Sequence, residues 1–429
     1  MQELFILVGL LVALLAIGCP VAFAMLIASV VYLLTSSLPL LQLTQKVAAG
    51  VDSFPLLAIP MFLLAGGLMN TMGVTDRIFR FAQVLVRHVT GGLGHVNVVA
   101  SVIFAGMSGS AVADAGGLGK VEIKAMRAAG YDNAFSAAIT GASAVIGPVI
   151  PPSITMVIYG FLAEESVGRL FLAGAIPGLL MALSMMILIY FLARTGVYAC
   201  PRLPRASLCE VWLAFRGAFL PLLAPVILLS GIISGIFTPT EAGVVVVLYV
   251  LLIGIVQLNF SWRHILHAAI DAVRTTCATM WIIACSMIYG WIIIIQKVPD
   301  QVVTLLSTNI DSPLAVFVFV IATLLFFGMI LEAIPVMLIT VPTFIALGAV
   351  YEIDPIHLGV VIVLTMMIGS ITPPVGLTLF TVMKVAAISM DRLVRAIWPF
   401  YLAIFTVVVI VVLVPQFAVW LPNLVFGAR

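Results

Sequence analysis

Apolar residues run through this chain in long blocks while polar residues gather in the gaps between them, a pattern of bilayer-crossing helices rather than strands. Residues 3–34 form one such block, broken at Gly18-Cys19-Pro20, and residues 217–258 repeat the pattern with Pro239 in the place of Pro20. In the second copy each side of the break is long enough to span, so two crossings are predicted in each place. Further crossings are predicted over 51–72, 169–193, 276–296 and 396–422. Two stretches are amphipathic instead. In 74–91, Arg77, Arg80, Arg87 and His88 alternate with Ile78, Phe79, Phe81, Val84 and Leu85, and Trp262 to Arg274 has the same character, as in helices lying at the membrane surface.

Two blocks turn back on themselves. The block 93–128 stops at Ser108-Gly109-Ser110, resumes after Asp114-Ala115-Gly116-Gly117 and ends in Lys120, Lys124 and Arg127. An arm of about 15 residues rises only about 22 Å, less than the hydrocarbon thickness, so a re-entrant hairpin is predicted. A second hairpin is predicted over 313–350, turning at Glu332-Ala333-Ile334-Pro335. Each is followed by a crossing interrupted by a proline pair, 133–160 and 355–388. The interruptions read alike: Ile146 to Pro152 is Ile-Gly-Pro-Val-Ile-Pro-Pro, and Ile368 to Pro374, 222 positions on, is Ile-Gly-Ser-Ile-Thr-Pro-Pro. At the same offset Gly106-Met107 returns as Gly328-Met329, and Asp132 as Asp354. The chain therefore reads as two repeats, 1–195 and 217–429, joined by a polar linker over 196–216. Each repeat holds five crossings and one hairpin, an odd count that places the two in opposite orientation.

Charge placement fits this fold. With both termini outside, fifteen Arg and Lys residues, among them Arg77, Lys120, Arg194, Arg274 and Arg395, fall on the cytoplasmic side, and only Lys46, Arg169, Lys297 and Arg429 fall outside. Composition agrees: the 429 residues are 64% hydrophobic and 8% charged, far below the charge of about 25% usual in soluble chains. The net charge of +2 is spread between the blocks and includes no basic run that would mark a nucleic-acid partner. No basic segment precedes the first apolar run, so a removable signal peptide is not expected. The five cysteines show no C-x-x-C pair and the five histidines no H-E-x-x-H, which gives no metal motif.

The chemistry concentrates at the breaks. A proline pair inside a membrane helix frees backbone carbonyls, tolerated at that depth only where protein, water or an ion satisfies them. Opposite the breaks, the hairpin tips offer oxygen ligands suited to a hard cation. One sodium site is thus expected from Ser108, Ser110, Gly147 and Pro151, and a second from Glu332, Gly369, Thr372 and Pro373. Asp114, Ser153, Thr155, Thr378 and Thr381 are candidates for substrate contact. No Arg or Lys falls in this central region, so an anionic substrate would be met by backbone N–H groups and hydroxyls. Asp132 and Asp354 precede the broken helices and read as caps, and Glu241, after Thr238-Pro239-Thr240, is either a buried functional acid or a helix N-terminal charge. Gly141-Ala142-Ser143-Ala144 matches the serine motif of intramembrane proteases, but no histidine lies at matching depth, which leaves a hydrolase a remote alternative.

The chain resembles the large membrane subunit, the M or DctM-type component, of tripartite ATP-independent periplasmic (TRAP) transporters. The resemblance covers the whole chain and rests on Ser53-Phe54-Pro55 with Ala58-Ile59-Pro60, Ser108 to Asp114, Gly130-Tyr131-Asp132, Gly147 to Ser153, Phe237 to Ala242 and Gly369 to Pro374. Gly116 to Glu122 is more glycine-rich and more charged than the family pattern. The resemblance implies an all-α polytopic protein of the elevator-type ion-transporter architecture, importing an organic anion with sodium across a bacterial inner membrane. A C4-dicarboxylate or a sugar acid such as sialic acid would be typical cargo. It also implies a small four-helix membrane subunit and a periplasmic substrate-binding protein as partners. A stand-alone divalent-anion/sodium symporter of the same architecture is the nearest alternative.

Overall fold

The computed structural model describes residues 2–36, 38–256, 261–308 and 312–427, and every regular element among them is helical. Arg429, and the residues beyond Val256 assigned to the end of a crossing, lie outside the described residues. The first apolar block forms two helices, α1 (Gln2–Ala16) and α2 (Val21–Thr35), parted where Gly18 takes a φ of +84° and Pro20 has no N–H to donate. α3 (Leu41–Val51) and a 3₁₀ turn at Phe54–Leu57 lead into α4 (Ala58–Thr71) and the amphipathic α5 (Val74–Val86). The first hairpin comprises α6 (Leu93–Ser108), α7 (Ala111–Gly116) and α8 (Leu118–Ala128). The broken crossing follows as α9 (Asn133–Ala144) and α10 (Ile154–Ala163), and then α11 (Val167–Arg194).

The second half opens with α12 (Leu208–Ile233) and α13 (Pro239–Val256), followed by α14 (Trp262–Ile295) and α15 (Val298–Ser307). Its hairpin is α16 (Pro313–Gly328) with α17 (Ala333–Val350), its broken crossing α18 (Pro355–Ser370) with α19 (Leu377–Ala386), and α20 (Met390–Leu413) and α21 (Gln416–Phe426) close it. Among the described residues seven helical stretches are long and apolar enough to cross a membrane, so the protein is polytopic.

Several elements depart from the sequence expectation for identifiable reasons. The surface stretch at Trp262 and the crossing at 276–296 are one helix of 34 residues, because no Pro or Gly interrupts it before Gly290 and a polar stripe alone does not break a helix. At about 51 Å it is longer than the bilayer, so its charged end, with Arg263, Asp271 and Arg274, stands clear of the hydrocarbon. α12 starts inside the segment read as linker, since Ser207 accepts a hydrogen bond from Glu210 N and caps it. The last crossing divides at Val414-Pro415 into α20 and α21. α3 and α15 fall in stretches too short and too polar to have read as spans.

Capping residues set where the broken helices begin. Asp132 Oδ1 accepts from Phe135 N at 2.8 Å, and Asp354 Oδ1 from Ile356 N at 2.7 Å and His357 N at 3.2 Å, so both act as the caps expected of them. Glu241 is the helix N-terminal charge of the two readings. Its carboxylate accepts from Thr238 N and Oγ1, both at 2.8 Å, while Thr238 Oγ1 accepts from Glu241 N, a reciprocal cap at the start of α13.

α14 packs along α2, α3, α4 and α17, and α4 in turn bears α13. Against this group lie the hairpins and broken helices, with α9 and α18 held by α20. The linker is pinned where α8 meets α9: Tyr198 stacks on Phe135 with ring centroids 4.1 Å apart, and Tyr131 Oη bonds Pro201 O at 3.1 Å. Burial lifts the Tyr131 phenol to about 12, so it remains a donor there. Arg87 of α5 completes the attachment, reaching Glu210 at 2.7 Å and Pro204 O at 2.9 Å.

Candidate functional site

The first hairpin tip is built against the first break. α6 ends at Gly109, whose φ of +61° suits glycine, and a Cβ there would stand 2.5 Å from Pro152 O and 3.4 Å from Ile154 N. Behind the tip Ser108 Oγ donates to Asp114 Oδ1, and Asp114 Oδ2 has no hydrogen-bond partner although the residue is 2% exposed. That free oxygen lies against Gly147, where a Cβ would come within 2.6 Å of it. Ser108, Asp114 and Gly147 are therefore together. Ser110 faces outward from this cluster, its hydroxyl accepting from Ala113 N at 3.4 Å to cap α7. The break folds on itself: Ser153 Oγ donates to Pro148 O and accepts from Met156 N, and Thr155 Oγ1 reaches the same carbonyl at 3.0 Å. Both proline pairs, Pro151-Pro152 and Pro373-Pro374, have cis peptides.

The second half makes the corresponding contact by backbone. Gly328 and Gly369 cross so closely that a Cβ on Gly369 would lie 2.9 Å from Gly328 Cα, and Val375 N donates to Met329 O at 3.1 Å. Thr372 Oγ1 bonds Ile368 O at 2.6 Å, Ser370 Oγ bonds Met367 O at 2.8 Å, and Tyr401 Oη holds Ile371 O. The carbonyls of Ser370 and Thr372 converge on Gly376, 3.2 and 2.9 Å from where its Cβ would stand. Glu332 makes no hydrogen bond to this group of oxygens among the described residues, though it shares the lining of a central cavity with Ser370. It precedes α17, makes no side-chain cap and opens into the central cavity.

That cavity joins the halves. Gly109 to Val112 line it, and so do Leu331 to Ile334, each 222 positions on; Pro148 and Thr155 line it with their counterparts Ser370 and Leu377. Three helices of ten or more residues begin at its wall: α10 at Ile154 and Thr155, α17 at Glu332 and Ala333, α19 at Leu377 and Thr378. Neither α17 nor α19 has a side-chain cap, so the N–H groups of Ala333, Ile334, Leu377 and Thr378, residues that line the space, have no capping side chain. No Arg, Lys or His lines it, and Glu332 is its one charged residue. Helix N-termini carry partial positive charge, and with the Ser110 and Thr378 side chains beside them they supply the kind of groups that can meet an anion.

Of the residues proposed for substrate, Thr155 and Thr378 line the cavity. Asp114 is buried behind the tip, Ser153 is occupied by the break, and Thr381 bonds Leu377 O at 3.0 Å along its own helix. Thr275 and Thr279 of α14 and Ile59 and Leu63 of α4, to which the sequence assigned no site role, also line the cavity. The four-residue spacing of the two threonines on one helix face was the available signal. From the cavity a second hollow continues past Gly66, Asn70 and Ala268 to Asp271, toward the charged end of α14.

Ser143 has another role than nucleophile. It is fully buried, donates to Asn97 Oδ1 at 2.6 Å and accepts from Ser101 Oγ at 3.0 Å, while Asn97 Nδ2 donates to Thr140 Oγ1 at 2.7 Å. This network ties α6 to α9, the hairpin to the broken helix. Asn97→Val is expected to remove the donor to Thr140 Oγ1 and leave the Ser143 hydroxyl proton only its longer bond to Thr140 O at 3.2 Å, at a cost of about 1 to 3 kcal/mol, visible as a lower unfolding midpoint in detergent. An unchanged midpoint would show that the network contributes nothing.

A polytopic helical protein whose cavity lies between two hairpins and two broken helices, with three helix N-termini at its wall, belongs by architecture to the membrane carriers. The comparisons narrow this. Residues 8–417 match the family described as tripartite ATP-independent periplasmic transporter, DctM component. The chain is 42% identical over 412 residues to the sialic acid TRAP transporter large permease protein SiaM of Vibrio cholerae, covering 96% of each. It is 35% identical over 417 residues to the 2,3-diketo-L-gulonate TRAP transporter large permease protein YiaN of Escherichia coli, covering 97% of this chain and 98% of that protein. Identity to the C4-dicarboxylate TRAP transporter large permease protein DctM of Pseudomonas aeruginosa is 38% over 374 residues, 87% of each. The crystal structure of the Alcanivorax borkumensis YdaH transporter shares the fold, with a TM-score of 0.63 at 15% identity, covering 89% of this chain and 88% of that one. The chain belongs to the DctM-component family, the large permease subunits of TRAP transporters.

Proposed function

We propose that this protein imports an organic anion, a C4-dicarboxylate or a sugar acid such as sialic acid, together with sodium, by an elevator movement of its hairpins and broken helices. The observation that carries this reading is the cavity itself, where helix N-termini and hydroxyls converge and no cationic side chain is present. The carboxylate of Glu332 in the same space would repel an anion unless a cation sits beside it. Sodium supplies that cation, and substrate affinity then depends on sodium.

One sodium site lies behind the first tip, where Asp114 Oδ2 has no partner and Ser108 and Gly147 adjoin it. The other lies at the second break, where the Ser370 and Thr372 carbonyls converge, with Glu332 on the cavity side. The two cation seats are thus unlike in setting, the first acid being buried behind its tip and the second opening on the cavity. The hollow running to Asp271 leads to the end of α14 that positive-inside counting assigns to the cytoplasm, which fits an inward-facing carrier with both termini periplasmic in an inner membrane. In this reading a small four-helix subunit and a periplasmic binding protein complete the system, as family membership implies.

Proteoliposomes holding this chain with its small subunit test it, given radiolabelled sialic acid and C4-dicarboxylates with and without a candidate binding protein. Uptake of one of these acids only when its binding protein is added is the expected result. Equal uptake without any binding protein would instead favour a stand-alone symporter, and uptake of none would remove the organic-anion reading.

A further inference from the structure

At the end of the first hairpin remote from its tip, α8 and α19 lie side by side and enclose a shallow pocket lined by Lys120, Lys124, Arg127, Ile123 and Val385. The three cations stand at i, i+4 and i+7 on one face of α8, so all project to the same side. All three are exposed, and among the described residues none forms an ion pair or accepts a carboxylate, since those ion pairs are Arg87 with Glu210, Arg274 with Asp271 and Arg395 with Asp391. The one acid of α8, Glu122, is buried on its other side. The floor is apolar: Ile123 is 2% exposed and Val385 half-buried.

We infer that this pocket binds the phosphate headgroup of an anionic phospholipid, with glycerol and upper acyl carbons over Val385 and the methylene stems of the three cations. Three unpaired cations at one point repel one another, and an anion that neutralises them relieves that repulsion. The half-buried Val385 and the methylene stems of the three cations distinguish a lipid from a soluble phosphate, which gains nothing from apolar contact. A lipid whose phosphate sits on α8 and whose apolar part touches Val385 of α19 spans the first hairpin and the second broken helix, outside both the cavity and the cation seats. The assignment is independent of which anion is carried.

Native mass spectrometry of the purified full-length chain, offered phosphatidylglycerol or phosphatidylcholine, tests the assignment. Wild type is expected to retain phosphatidylglycerol selectively. Lys120→Gln/Lys124→Gln/Arg127→Gln is expected to lose about a hundredfold in its affinity for that lipid, about fivefold per cation. Lys120→Arg/Lys124→Arg keeps the charge and is expected to keep the lipid. Arg202→Gln/Arg205→Gln/Arg216→Gln removes as many cations from the linker side and is expected to retain it too. Equal loss in the linker variant would reduce the effect to net charge and overturn the site, as would retention by the glutamine triple variant. Displacement of the lipid by millimolar inorganic phosphate would overturn the lipid assignment in favour of a soluble anion.

Discussion

Gly109→Ala is expected to reduce uptake by about a hundredfold, the scale on which an ~1 Å misplacement of binding groups acts. Two costs add at this position. The residue holds a φ of +61°, which an L side chain adopts at about 1 to 2 kcal/mol, and its Cβ would stand 2.5 Å from the Pro152 carbonyl. The tip must withdraw from the break, and with it move Ser110, Ala111 and Val112, which line the cavity. Gly217→Ala is the control, because nothing lies within 4 Å of the added methyl. Initial rates in proteoliposomes, normalised to the amount of folded protein, decide it. Similar rates for the two variants would mean that the contact between tip and break does not shape the site.

The second large effect separates the two hairpins. Ser108→Ala removes the one hydrogen-bond donor to the buried Asp114, leaving a carboxylate with one neighbour fewer behind the tip, and is expected to weaken sodium activation by about tenfold, or about 1.4 kcal/mol. Glu332→Gln acts differently, because that carboxylate lines the cavity and has no side-chain cap to lose. Removing its charge lifts repulsion against the substrate anion, so substrate binding is expected to persist at low sodium. Measuring substrate affinity against sodium concentration distinguishes them: a shifted curve for Ser108→Ala and a flattened one for Glu332→Gln. Identical curves would contradict the inequality of the two seats.

Much of this arrangement was legible because helix breakers and caps are local. Gly18 and Pro20 part α1 from α2, Asp132 and Asp354 start the broken helices, and the doubled Ile-Gly-x-x-x-Pro-Pro marks the breaks, all from nearest-neighbour backbone chemistry. What escaped was decided at a distance. The continuity of α14 through Arg263, Asp271 and Arg274 follows from a helix protruding beyond the bilayer, which charge patterning alone reads as a surface segment. Ser153 looked like a ligand because it sits beside the proline pair, but Pro148 O lies within its reach and takes its hydroxyl. Thr275 and Thr279 reach the cavity only because α14 packs across α4 and α17, a relation between segments some 200 residues and some 60 residues apart in the chain that no local pattern states. Glu332 occupies the position 222 after Ser110, and both line one space, yet the substitution of a carboxylate for a hydroxyl makes the halves chemically unequal.

The dependence of anion entry on a cation beside Glu332 is tested most directly by imposing ion gradients on proteoliposomes that contain this chain, its small subunit and the cognate binding protein. An inward sodium gradient is expected to drive accumulation of the anion at least about tenfold above that with an equal potassium gradient, matching about 1.4 kcal/mol or more of coupling. Equal accumulation under the two gradients would contradict sodium coupling at this site.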